Sequence, residues 1–227
     1  MFHIISIIQD ILLSNKKKKL HDLTYKDLRY RDRPTQLEEK IPFDYFVINT
    51  PPENDSLSTK KELDQVIETT STRNNETDKT ILAIDKDPLV LYKAFLQNKN
   101  LEFPQKEFDI MYHILYDIVL DLKFYHNRPR PNQIAELYNK DINILNTGTH
   151  STPSYPSGHV AYAKLAELLI KDIYPNLDGE LEKLTEKVGY ARIKQGVHFP
   201  SDNAASYLLV SSIYKELKNY YERESNV

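Results

Sequence analysis

A chain of 227 residues holds one principal domain with room for an appended segment, and at this size buries roughly 70% of its unfolded surface, enough for a core and a preformed pocket. Five Gly and twelve Pro without period exclude collagen-like and low-complexity folds; 16 Tyr and 8 Phe exclude disorder throughout; zero Cys excludes disulfides, thiolate zinc sites and cysteine nucleophiles. Thirty basic against 33 acidic residues, a formal charge of -3, exclude a global field for holding nucleic acid, so any anion site is local.

The first residues are apolar at Phe2, Ile4, Ile5, Ile7, Ile8, Ile11, Leu12 and Leu13, with the Lys16 to Lys19 run behind them. Gln9 and Asp10 interrupt the stretch, and the lysines stand on the wrong side for a signal peptide. The pattern predicts an amphipathic helix, with membrane-surface contact through residues 1–19, against the competing reading of a cleaved signal. No apolar run approaches the roughly 18 residues needed to cross a bilayer. The expectation is a soluble protein, in the cytoplasm for want of a persuasive signal. Residues 20–57, with Pro34, Pro42, Pro51 and Pro52, read as an extended arm wrapping the domain.

Helical spacing resumes over 58–70 through Leu63, Val66 and Ile67, and the polar stretch 71–79 reads as a loop. Pro88 sits near the start of a helix carrying Leu89, Leu91, Tyr92, Phe95 and Leu96. Phe108, Met111, Tyr112, Ile114, Leu115, Ile118, Val119 and Leu122 recur at three- and four-residue steps, predicting a long buried helix. Similar patterns cover 159–173, 179–193 and 201–222. Neither an alternating strand pattern nor an internal repeat is present. The fold class that follows is all-α, a helical bundle.

Polar residues gather at the ends of these helices. Lys123 closes the long one, and Pro129 and Pro131 stop its continuation, throwing Arg130 past the helix end. An ammonium and a planar guanidinium so placed can grip different oxygens of a tetrahedral anion; two solvated cations favoured by the helix dipole are the plain alternative. Ser157 and Gly158 stand where the 159–173 helix begins, so free N–H groups face outward, Gly158 admits a close oxygen, and Ser157 either caps the helix or donates to an anion. His198 and Asp202 are four apart across Pro200. If a helix starts there, the carboxylate fixes the imidazole tautomer and leaves the other nitrogen free to attack; a capping pair is the plain reading. Arg192 adds a third cation. Nothing fixes the direction of His150, and His113 and His126 read as packing or surface residues.

The order Lys123-x6-Arg130-Pro131, then Pro156-Ser157-Gly158-His159, then Arg192-x5-His198-x3-Asp202 resembles the three-part signature of the type-2 phosphatidic acid phosphatase superfamily. That superfamily includes class A acid phosphatases, membrane lipid phosphatases and vanadium-dependent haloperoxidases. With Thr50-Pro51-Pro52 and Asp55-Ser56 the similarity extends over about 45–222, which divides the chain into an arm, 1–44, and a helical domain, 45–227. Ala191 stands where the family has Ser, placing a hydrogen bond near the pocket in doubt. The resemblance implies an acid phosphatase: His198 as nucleophile, His159 as acid and then base, Asp202 as orienting partner. Lys123, Arg130, Ser157, Gly158 and Arg192 would hold the phosphoryl oxygens. It further implies no metal, no cofactor, vanadate as a phosphate mimic, a small phosphorylated substrate, and a homodimer by likeness to relatives. A vanadium haloperoxidase and an inactive helical scaffold are the competing readings.

Overall fold

The computed structural model describes residues 19–25 and 48–225, and among them every regular element is helical. The expectation of a membrane-surface helix at 1–19 falls almost wholly outside the described residues. α1 (Leu57–Ser71) starts at Ser56, whose hydroxyl accepts the Thr59 N–H. α2 (Asn75–Lys86) overturns the loop expected at 71–79, because Asn74 forms a capping box with Thr77: Asn74 Oδ1 accepts the Thr77 N–H at 2.9 Å, and Thr77 Oγ1 accepts the Asn74 N–H at 2.9 Å. After α3 (Val90–Asn98), α4 (Gln105–His126) stops at Asn127, which turns into the left-handed region at φ 46°. α5 (Pro131–Leu137) opens on its proline, and its seven residues have no counterpart among the helices predicted from the sequence. The last three helices are α6 (Gly158–Ile173), α7 (Asp178–Gln195) and α8 (Pro200–Glu224).

α6 is the centre of the bundle, packed against α4, α7 and α8, while α1 and α2 lie on α7. Its buried residues include Ala161, Ala163 and Ala166, whose small side chains let neighbouring helices approach. Around them close Leu115, Ile118 and Val119 of α4, Leu181 and Val188 of α7, and Leu209 and Ile213 of α8. Full burial of each large aliphatic side chain contributes roughly 1.5–3 kcal/mol, which makes this the dominant source of stability. A polar chain crosses the core: Thr185 donates to Glu167 at 2.5 Å and lies 2.5 Å from the Tyr92 hydroxyl, tying α3, α6 and α7 together.

A second apolar cluster joins Leu63 and Val66 of α1, Ile134 and Ala135 of α5, Ile193 and Phe199, with Leu20 of the described arm seated on it. The arm is tied down by Tyr25 N donating to Asn127 O at 3.2 Å and by Asn54 Nδ2 donating to Leu23 O at 2.8 Å. No helix among the described residues is long and apolar enough to cross a membrane.

Candidate active site

Backbone and side-chain bonds stitch the three polar segments together. Ser154 N donates to Arg128 O at 3.0 Å and its hydroxyl to Pro129 O at 3.1 Å, joining the loop before α6 to the turn after α4. Ser157 N donates to Asp202 O at 3.1 Å, and the Ser206 hydroxyl to Ser157 O at 2.8 Å, joining the start of α6 to the start of α8. Side chains scattered from 123 to 202 are thereby held at one end of the bundle.

Pro200 at the first position of α8 sets the turn that brings His198 and Asp202 together. The His198 Nδ1 lies 3.1 Å from Asp202 Oδ2, which also accepts the Phe199 N–H at 2.9 Å. On the other side of the ring, Arg130 Nη1 approaches His198 Nε2 at 3.1 Å. A guanidinium can only donate, so Nε2 must be the acceptor and Nδ1 carries the proton toward Asp202. Burial, then the charge of Arg130, pushes the His198 imidazole well below its ordinary 6.5. It is therefore neutral, with its lone pair on Nε2.

Asp202 is fully buried and would be pushed up by burial alone, yet Arg128 Nη1 at 2.6 Å and the His198 ring hold it below the usual carboxylate range. Arg128 in turn binds Glu62 Oε2 at 3.1 Å and the Ser201 hydroxyl at 2.7 Å, and its guanidinium stacks on Phe199 with a 4.2 Å centroid distance. Loss of either member of a buried pair of this kind costs about 3–5 kcal/mol, because the other charge is left uncompensated.

Lys123, Arg130 and Arg192 are 5%, 3% and 1% exposed. Lys123 Nζ donates to Pro153 O at 2.7 Å and Ser154 O at 3.3 Å. Besides His198, Arg130 donates to Val197 O at 2.7 Å and Thr152 O at 2.9 Å. Neither has a carboxylate partner among the described residues. Burial, then the Arg130 charge, holds the Lys123 ammonium well below its ordinary value, and burial and Arg192 bring Arg130 down to about 10. Three cations without a matching number of anions repel one another, a penalty that a bound anion would reverse. The buried Arg192 Nε and Ser157 Oγ have no hydrogen-bond partner among the described residues. Ser157 precedes α6 without making the capping bond, so the plain reading of this serine as a helix cap is not what the chain adopts.

Arg192 is anchored through its other edge: Nη1 is paired with Asp85 Oδ1 and reaches Gln195 Oε1 at 2.5 Å. Asp85, near the C-terminus of α2, also accepts from Thr149 Oγ1 at 2.5 Å and Gln195 Nε2 at 3.2 Å. Burial alone would raise the Asp85 carboxyl, but the Arg192 charge and these hydrogen bonds keep it ionised. The backbone carbonyl of Asp85 serves a second group, lying 2.9 Å from His159 Nε2. A carbonyl accepts only, so Nε2 carries a proton and His159 Nδ1 is the free nitrogen. Burial first, then Arg192, pushes His159 below 6.5.

The eight residues singled out in the sequence thus lie on the ends of α4, α6, α7 and α8 and the turns beside them. At Gly158, the first residue of α6, the atoms nearest to the position of a Cβ belong to the Tyr162 side chain, at 3.4–3.6 Å. His150, on a 3-10 turn (Gly148–His150), is half-buried and held below 6.5 by burial, Arg130 and Arg192, and so belongs to this surround. Ala191 packs into the main core. Sequence reasoning missed Asp85, Thr149, Gln195 and the Arg128–Glu62 support. Asp85 had one available signal, the capping box at Asn74 that opens its helix; the others are joined across 64 residues (Thr149–Asp85), 66 residues (Arg128–Glu62) and 110 residues (Gln195–Asp85) and left none.

The chain matches the model of the PAP2 superfamily over residues 110–222. Among solved structures it is similar to LpxE of Aquifex aeolicus, with 20% identity, a TM-score of 0.48, and 73% of this chain and 94% of that one covered. It is also similar to a transmembrane PAP2-type phosphatidylglycerolphosphate phosphatase of Bacillus subtilis, with 15% identity, a TM-score of 0.48, and 74% and 89% covered. No curated protein sequence matches the chain.

Proposed function

Residues 110–222 belong to the PAP2 superfamily, and from that membership and the buried cations we propose that the chain is a phosphatase hydrolysing phosphomonoesters through a phosphohistidine at His198. The observation that carries this reading is the combination of Arg192 Nε and Ser157 Oγ, buried and unpartnered, with Lys123 and Arg130, which lack any carboxylate among the described residues. Such a set suits the three equatorial oxygens of a phosphoryl group, where charge resides in the transition state. The first-turn N–H of Gly158, which has no acceptor within its helix, adds a further donor.

In this mechanism His198 Nε2 attacks phosphorus, giving up its bond to Arg130 as the guanidinium turns to a phosphoryl oxygen. The P–O ester bond breaks, and the leaving alkoxide takes a proton from His159 Nδ1. The imidazolium left on the nucleophile is stabilised by Asp202 through Nδ1–H, and Asp202 is kept ionised by Arg128. Water, deprotonated by His159, then attacks the phosphohistidine and releases phosphate and free His198.

His198 must be neutral and His159 protonated, and both imidazoles are held below 6.5, so an acid optimum is expected. The dianionic substrate raises His159 toward the working pH by direct attraction. A metal-independent reaction is supported by the donor set, since among the described residues no three His, Asp or Glu side chains are grouped to hold an ion. Phosphate release should persist in chelator and be inhibited by vanadate.

The deciding experiment is alkaline-quench trapping of the phosphoenzyme with a labelled chromogenic ester. The wild type should accumulate a base-stable, acid-labile phosphoryl adduct, and His198→Ala should show neither adduct nor turnover. Turnover by that variant, with label at another residue, would remove His198 as nucleophile; an inert wild type would leave the scaffold reading.

A further inference from the structure

Beside His159 a cleft of ≈ 320 Å³ opens between the turn after α2 and the first half of α4. Because His159 is the group that would protonate the departing alcohol, this cleft is where a leaving group would lie, an assignment that rests on the function proposed above. We propose that it is a subsite for an aromatic ring of the leaving group, so that the preferred substrates are monoesters whose alcohol carries such a ring, aryl or nucleoside phosphates, and not glycerol or lipid phosphates.

Three observations support this. The first is the wall. Phe108, Tyr112 and Tyr162 line the cleft with Pro88 and Leu89, and their rings already form an aromatic run: Phe108 on Tyr112 at 5.7 Å and 23°, Tyr112 on Tyr162 at 4.8 Å and 67°. Rings at these separations offer faces and edges to a further ring in the offset or edge-on geometries that aromatic pairs prefer. Tyr162 reaches back to Gly158, its hydroxyl 3.4 Å from the position a Cβ would take there, so the aromatic wall begins at the phosphoryl donors.

The second is charge. Of the ionic residues lining the cleft, Asp85 is answered by Arg192 and Asp87 by Lys93 at 2.9 Å, leaving exposed Asp109 and Lys86 of opposite sign. Among the described residues no cation surplus lines the cleft for a second phosphate, which argues against diphosphates and polyphosphates. The third is size. At ≈ 320 Å³ the cleft is at the small end of ligand pockets, which run from about 300 to 1,000 Å³, suiting one ring system and not two acyl chains.

The test compares kcat/KM for phenyl phosphate, adenosine 5′-monophosphate, glycerol 3-phosphate and a short-chain phosphatidate, alongside equilibrium binding of phenylphosphonate and methylphosphonate, which need no turnover. Phenylphosphonate is expected to bind about fivefold or more tighter than methylphosphonate. Tyr112→Leu should erase that difference and leave methylphosphonate unchanged, while Tyr112→Phe retains it. Phenyl phosphate and adenosine 5′-monophosphate separate an aryl from a nucleoside source. Equal affinity for the two phosphonates, a preference for the glycerol or lipid ester, or a Tyr112→Leu variant with its selectivity intact would overturn the proposal. Selective phosphonate binding without hydrolysis of any ester would uphold the cleft and bring down the phosphatase reading alone.

Discussion

Asp85 uses two different groups on two different partners: its carboxylate holds Arg192, and its carbonyl fixes the proton on His159 Nε2. Substitution separates them, because only the carboxylate is lost. Asp85→Ala leaves a fully buried guanidinium without its counter-charge and should lower stability by about 3–5 kcal/mol, read by denaturant unfolding. Asp85→Asn retains an oxygen for Arg192, Thr149 and Gln195 and removes only the charge. The Asp85 charge favours protonated His159, so its removal should carry the pH–kcat profile toward acid. On the alkaline limb, activity at a fixed pH then falls about tenfold for every pH unit the profile travels. Phosphate, relieved of a nearby negative charge, should inhibit the Asn variant at lower concentration. An unchanged pH profile in Asp85→Asn would confine the residue to a packing role.

At the scale of the element, α2 delivers Asp85, and its existence depends on the capping box at Asn74 and Thr77. Asn74→Ala removes the Oδ1 acceptor for two first-turn N–H groups, so a loss of about 1 kcal/mol is expected. In a chain of this size that corresponds to roughly 2–4 °C in Tm by calorimetry. Restoration by Asn74→Ser or Asn74→Asp, but not by Asn74→Val or Asn74→Leu, would identify the cap as the cause. Periodicity does not disclose this helix for a physical reason: its first two turns, Asn75 to Thr80, are polar and largely exposed, leaving only Ile81 and Ile84 as buried apolar residues, too few for a period, so that the cap at Asn74 is its one local mark. The helices at 105–126, 158–173, 178–195 and 200–224 were legible because each buries apolar residues on several successive turns. The same distinction governs the site. The Lys123, Arg130, Ser157, Gly158, His159, Arg192, His198 and Asp202 pattern is local in sequence, with residue types that chemistry selects. The pairing of Asp85 with Arg192 spans 107 residues and leaves no mark on spacing or periodicity.

For the whole molecule, burial of these charged and titratable groups couples stability to pH in one direction. His159, His198 and His150 have folded pKa values below the unfolded 6.5. As pH falls through 6.5, the unfolded chain takes up protons that the native state refuses, so ν_U exceeds ν_N and stability declines. Asp85 and Asp202, held below 3.8, add to the loss at more acid pH, because the unfolded carboxylates protonate first. Lys123, depressed below 10.5, has the same sign at the alkaline end, where stability is regained as the unfolded ammonium gives up its proton. The ligand-free protein should therefore melt at progressively lower temperature from pH 7 to pH 5. An oxyanion bound among Lys123, Arg130 and Arg192 favours the protonated forms of His159 and Lys123, so saturating phosphate or vanadate should raise Tm by mass action and flatten its decline with pH. Differential scanning calorimetry at several pH values, with and without the anion, reads both effects, and His159→Gln should remove part of the slope. A Tm indifferent to phosphate across this range would place no anion among these cations, whereas a raised Tm with an unaltered slope would place it away from His159.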